Sequence, residues 1–157
     1  MAETLEGQMD LIFDHTSLNQ SAMGTITGTV FFEFWTYQFP TSGWNDFVVV
    51  LANWWLDAVV EMERGFVPSV RFQMMDGPYW IVAVDTGEQS VRLECMEDRR
   101  QPAVVHEEIV SVAILGHVVR RFARQVLSAC LRRGFRSLDL DELGQRIAVE
   151  GEQDLQS

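Results

Sequence analysis

The side chains able to do chemistry are few and scattered. Three histidines, His15, His106 and His117, lie far apart. None has the HxxxH or HxxE spacing that puts two ligands on one helix face, so each reads as a single polar residue at the edge of an element, and no metal is expected. Cys95 and Cys130 sit in apolar periodic segments without CxxC spacing, and the default is a pair of buried free thiols in a reducing compartment. For Cys95 to act as a nucleophile it would need a base and a depressed pKa. A neighbouring strand carrying His106 could bring the base, but a structural thiol is the simpler reading. Glu107 and Glu108 are adjacent in a strand-like segment, so they point to opposite faces and cannot share one proton-transfer task. GxSxG, GxGxxG and P-loop patterns are absent, and Gly24 and Gly28 lie in a threonine-rich strand pattern rather than a phosphate cradle. No catalytic residue and no cofactor is expected.

Charge says more. The chain of 157 residues has a net charge of −11 and a pI near 4.6, which turns the attraction needed for phosphate-backbone binding into repulsion and excludes nucleic acid as a partner. The charge is uneven. Residues 1–110 carry 17 acids against 5 arginines, residues 111–136 carry 6 arginines and no acid, and residues 137–157 carry 6 acids against 1 arginine. Arg120, Arg121, Arg124 and Arg132 share one side of the basic segment, which reads as a solvated face making ion pairs to acidic parts of the same chain, with an anion or partner site as the alternative.

The elements that must hold these residues are organised around Trp44–Arg64, the one long, nearly apolar run. Asp46, Asn53, Asp57, Glu61 and Arg64 recur at helical spacing, so the run reads as one helix with a narrow polar stripe, capped by Asn45 or Asp46 and ended by Gly65 and Pro68. Trp54, Trp55 and Leu56 are expected in the core. The stretch is too short and too interrupted to span a bilayer, and no membrane partner is expected. Ahead of it, Met9–His15 and Thr25–Phe39 read as paired strands. Alternation places Ile26, Val30, Phe32 and Phe34 on one face, and Phe31, Glu33, Trp35 and Tyr37 on the wetter one.

After it, Ser69–Met75, Tyr79–Asp85, Ser90–Glu97 and Ala103–Val110 read as an antiparallel meander, followed by an amphipathic helix over Val112–Arg133 and a short acidic helix over Ser137–Val149. The fold expected is α+β, with an antiparallel sheet of about six strands in the order ββ-α-ββββ-α and two long helices on one face. Its other face would show Glu33, Trp35 and Tyr37 beside Arg71, Gln73, Arg92 and Glu94. Length and 47% hydrophobic content fit a single domain over residues 1–150, with 151–157 as a disordered tail. Residues 1–10 carry no signal-like segment, which leads to the expectation of a cytoplasmic protein.

The string Gly43-Trp44-Asn45-Asp46-Phe47, then Trp54-Trp55-Leu56, then Met75-Asp76-Gly77-Pro78-Tyr79-Trp80, in a small acidic chain, resembles the immunity proteins encoded beside bacterial polymorphic toxins of the contact-dependent, Rhs and type VI secretion kind. The likeness extends from about Thr25 to Gly134. It implies a non-enzymatic protein that occludes the active site of a cognate toxin effector domain in the cytosol of the producing cell. The contacts expected on such a partner are Asp10, Asp14, Glu33, Trp35 and Tyr37, an acidic and aromatic set of the composition found at interface hot spots. The alternative is a non-catalytic adaptor or homodimerising module. A third reading, a small enzyme or ligand carrier, requires a deep cavity lined by Trp35, His106 and Cys95.

Overall fold

The apolar run winds into α1 (Val48–Arg64), and Trp55 is its centre. This residue is 0% exposed, and its ring lies 5.2 Å from Phe32, 5.5 Å from Phe122 and 6.4 Å from Phe72. Its indole N–H donates to the Gln73 carbonyl at 3.0 Å, which satisfies the one polar atom such burial strands. Gly65 closes the helix at φ 71°, a left-handed conformation that glycine adopts without a Cβ penalty, and its N–H donates to the Met62 carbonyl.

The computed structural model describes the backbone of residues 9–156 and the side chains of residues 9–151. Among the described residues, eight strands form two antiparallel sheets rather than one. The first holds β1 (Met9–Gln20), β2 (Ile26–Phe34) and β3 (Tyr37–Phe39) in that order, with the two-residue β4 (Asn45–Asp46) also paired to β2. The second is a meander of β5 (Ser69–Gln73), β6 (Tyr79–Gly87), β7 (Ser90–Asp98) and β8 (Pro102–Ser111). Two further helices follow, α2 (Val112–Arg132) and α3 (Leu138–Gln156). The class is α+β. α1 packs against β2 and β5, α2 against β1 and β8, so each long helix touches both sheets. One apolar core joins the sheets and all three helices.

Several boundaries differ from the sequence expectation for local reasons. The long strand expected over Thr25–Phe39 breaks at Trp35–Thr36, where the chain reverses and Tyr37 pairs back to Phe34. Asn45 and Asp46 do not cap α1. They pair with Thr29 and Gly28, and the helix begins two residues later with Phe47 as an N-cap that has no side-chain bond. Trp54 is 44% exposed, because the packed side of α1 runs through Leu51, Trp55, Leu56 and Val59. Asn53, expected on the polar stripe, is buried under α3: its amide donates to the Asp139 carbonyl at 2.9 Å and its oxygen accepts from Arg146 Nη1 at 3.2 Å.

α2 starts on Ser111, whose Oγ accepts from the Ile114 N–H at 3.0 Å. The backbone of α3 continues as helix through Gln156, across most of the segment expected to be a tail, while Ser157 and residues 1–8, on which the expectation of no signal-like segment rests, lie outside the described residues. Among the described residues no helix is long and apolar enough to cross a membrane.

Candidate protein-binding surface

The β2–β3 hairpin turns on two residues, Trp35 and Thr36, between the paired Phe34 and Tyr37. Tight hairpin loops of this length need positive φ at the first central position, and glycine or asparagine normally supplies it. Here a tryptophan holds φ 42° and remains 65% exposed. The left-handed region costs a bulky L-residue about 1–2 kcal/mol. The chain therefore accepts backbone strain at a residue whose ring faces water.

Beside the turn, register sets out an acidic row. Asp10 is the cross-strand partner of Glu33, which is in turn opposite Gln38 on β3. Asp14 is opposite Thr29, four residues along β1, or roughly 13 Å at the rise of an extended strand. Asp14 is exposed, and bonds from the Thr16 hydroxyl and N–H hold its carboxyl below the ordinary value. Asp10 is shared with Arg121, which reaches it from α2 over the sheet edge. Phe31 belongs to the same outward row, yet it is only 8% exposed, so this stretch of the face is closed where open surface was expected.

Of the five expected contact residues, Asp10, Asp14 and Glu33 share the outward row and Trp35 stands at its end. Tyr37 does not join them. Opposite Phe34, it belongs to the inward row, its ring 4.3 Å from that of His106 on β8, and desolvation pushes its hydroxyl pKa up, with Cys95 and Tyr79 adding to the shift. The sequence alternation failed here because it was carried through the Trp35–Thr36 reversal as if the strand were continuous. Arg71, Gln73, Arg92 and Glu94 likewise are not beside this row, since they belong to the second sheet.

The Cys95 and His106 pairing expected on neighbouring strands is present in register. It makes no nucleophile. Cys95 is 0% exposed, and burial, reinforced by the Glu108 charge, pushes its thiol up to about 12, so the thiolate is not populated near neutrality. His106 Nε2 lies 3.1 Å from Glu108 Oε1 and its ring packs on Phe34 and Tyr37, with Trp35 turned out to solvent on the far side of the hairpin. The four best-formed clefts among the described residues include neither Trp35, His106 nor Cys95 in their walls. Nor, among those residues, do three His, Cys, Asp or Glu side chains converge as a metal site would require.

A second surface escaped the sequence reading. On the outer face of the second sheet, Trp80, Val82 and Val84 of β6 stand beside Met96, Val104 and Ile109, the last two 45% and 52% exposed. Arg71 covers Trp80 at 4.8 Å, and Arg92 bonds Glu94 at 3.1 Å. The signal was the run Tyr79–Val84, apolar on both alternating faces, a pattern of strands covered on both sides.

Much of the arginine face is spent inside the chain. Arg120 grips Glu63 with two bonds of 2.6 and 2.7 Å and Glu150 with a third at 3.2 Å, which raises its pKa above the ordinary value. Comparison of the chain with protein-family models, with characterised proteins and with solved structures gives no match, so the geometry and the sequence carry the functional argument alone.

Proposed function

We propose that the protein acts by binding another protein and that it is an immunity protein, holding a cognate toxin domain by the β2–β3 hairpin and the acidic row beside it. The observation that carries this reading is Trp35: an indole 65% exposed on a backbone at φ 42°. Solvent-facing tryptophan at a strained turn offers the fold little, and it is the residue type most enriched among interface hot spots. Asp10, Asp14 and Glu33 add charge in the sense expected for steering toward a basic partner, as does the net charge of −11. The resemblance of the Gly43–Phe47 and Met75–Trp80 strings to such immunity proteins supports the same assignment. Tyr37 belongs to the packing beneath the hairpin, against His106, and is not part of the proposed contact set.

The test is capture of the polypeptide encoded by the adjacent reading frame, together with rescue of its toxicity on co-expression. Trp35→Asn keeps a residue that tolerates positive φ and removes the ring, and Glu33→Arg reverses one charge of the row. Each variant is expected to weaken capture at least tenfold while remaining folded. Wild-type affinity in both refutes the site, and failure of the wild type to rescue refutes the function.

The outer face of the second sheet favours one other reading, a homodimer. Its charges Arg71, Arg92, Glu94 and Glu107 balance locally in a strongly acidic chain, so two copies can meet there without repulsion. Sedimentation at micromolar concentration distinguishes a dimer from a monomer that associates only with its partner.

A further inference from the structure

One cleft has the opposite character to the rest of the molecule. It lies between β1 and α2, has a volume of about 380 Å³, and is lined by Phe13 and His15 from the strand and by Arg121, Arg124, Ser128 and Arg132, with Gln125, from the helix. Among the described residues no carboxylate lines it, in a chain of 23 acids and 12 basic residues. We propose that this cleft binds a small phosphate-bearing anion of nucleotide size.

The helix sets the spacing. At 1.5 Å rise per residue, Arg121, Arg124 and Arg132 distribute three guanidinium groups over roughly 16 Å, with the Ser128 hydroxyl between the last two. Ser128 Oγ accepts from Arg132 Nη1 at 3.3 Å, which leaves its own hydrogen free to donate. Of the three cleft arginines, Arg121 alone has an ion pair of the kind that satisfies Arg120 and Arg146 among the described residues. Among the described residues neither Arg124 nor Arg132 has a carboxylate within 4.0 Å. Arg121 gives Nη2 to Asp10, but its Nε is buried without a partner.

A row of like charges along one helix face is a standing cost that an oxyanion in the cleft would relieve, and guanidinium matches phosphate oxygens with two parallel bonds. Phe13 gives the cleft an apolar wall. It is held edge-on by Phe122 at 5.9 Å, so a ring bound beside the phosphates would have an aromatic surface to pack on. The volume lies within the usual range for small-molecule sites. The cleft adjoins the acidic row at the Arg121–Asp10 pair, but its test leaves Asp10, Glu33 and Trp35 unchanged, so its failure is distinguishable from failure of the hairpin assignment.

The test is calorimetric titration and thermal unfolding of the full chain with ADP and, separately, inorganic pyrophosphate, against sodium chloride matched in ionic strength. Micromolar to low-millimolar binding of either probe beyond the salt control supports the site. Pyrophosphate alone binding as tightly as ADP assigns the contact to the phosphates, and a clear preference for ADP brings in Phe13. Arg124→Glu with Arg132→Glu is expected to weaken ADP at least tenfold and to leave the unliganded chain folded, since both side chains are outside the core. Should that double variant fail to fold, Arg124→Gln alone, expected to weaken binding several-fold, replaces it. No binding beyond the salt control, or binding indifferent to these substitutions, overturns the proposal. So does binding of a tetraglutamate peptide in place of both phosphate probes, which would make the cleft a protein contact.

Discussion

Removing the Asp46 carboxylate should loosen three elements at once. Asp46 is 1% exposed. Its Oδ1 accepts from the N–H of Phe47, the residue that leads into α1, at 2.7 Å. Its Oδ2 accepts from the Trp44 indole N–H at 3.0 Å, and both oxygens take the Asp76 N–H at 3.2 to 3.3 Å, in the turn that joins β5 to β6. Asp46→Ala strands three donors at about 1–1.5 kcal/mol each, or roughly 3–5 kcal/mol in all, and a fall in melting temperature of about 2–4 °C per kcal/mol.

Asp46→Asn is the sharper variant. An amide oxygen can still take backbone N–H groups, but its NH₂ then faces the Trp44 donor, so the cost expected near neutral pH is about 1–2 kcal/mol. The pH dependence has a definite sign. Burial pushes the Asp46 carboxyl above the ordinary 3.8, against the pull of the Trp44, Phe47 and Asp76 donors. The native state therefore holds this proton more tightly than the unfolded chain does. That contribution to stability is complete below the unfolded value and is lost as pH rises through the folded one. The deficit of Asp46→Asn should accordingly widen as pH is lowered from neutrality toward 3.8. Urea unfolding followed by tryptophan emission at several pH values measures it. An alanine variant less than 1 kcal/mol weaker than wild type, or an asparagine deficit that narrows in acid, would refute the argument.

The adjacent tryptophans of α1 should separate cleanly in the same assay: Trp55→Ala is expected to cost about 3–5 kcal/mol as a core truncation, and Trp54→Ala less than about 1 kcal/mol. Cys95 should resist a thiol-directed disulfide reagent in the native protein and react only on unfolding, since its thiol is buried and pushed up to about 12; fast labelling under native conditions would contradict that placement. Arg146→Ala removes bonds of 3.0 to 3.1 Å to Asp57 and one of 3.2 Å to Asn53, and should expose α3 to limited proteolysis before the rest of the chain; simultaneous cleavage throughout would count against it.

Periodicity made the long helices and the meander legible, because Leu115, Val119, Phe122 and Val126 repeat at helical spacing and Val91, Leu93 and Cys95 alternate as a strand must. What it could not supply was the point where a pattern stops. Nothing in Phe34-Trp35-Thr36-Tyr37 carries a glycine or asparagine to announce a reversal, so alternation alone puts Tyr37 in the wrong row. Asn45 and Asp46 have the composition of a helix cap, but a partner strand distant in sequence claimed them first. The division into two sheets follows from helices that each touch both, a tertiary fact with no local signature. Asp10, Asp14 and Glu33 are identifiable as one outward row because positions in a strand follow from parity alone, whereas Trp35 is exposed because it stands in the turn. The β1–α2 cleft needed coordinates, since its walls come from residues about 110 apart.

The contrast between Trp35 in water and Trp55 sealed among Phe32, Phe72 and Phe122 gives the molecule two optical reporters in opposite states. An encounter that covers the hairpin would shield the outer indole from a collisional quencher such as iodide while the inner one stayed dark to it throughout, so docking and unfolding would leave different marks on the emission of the unlabelled chain.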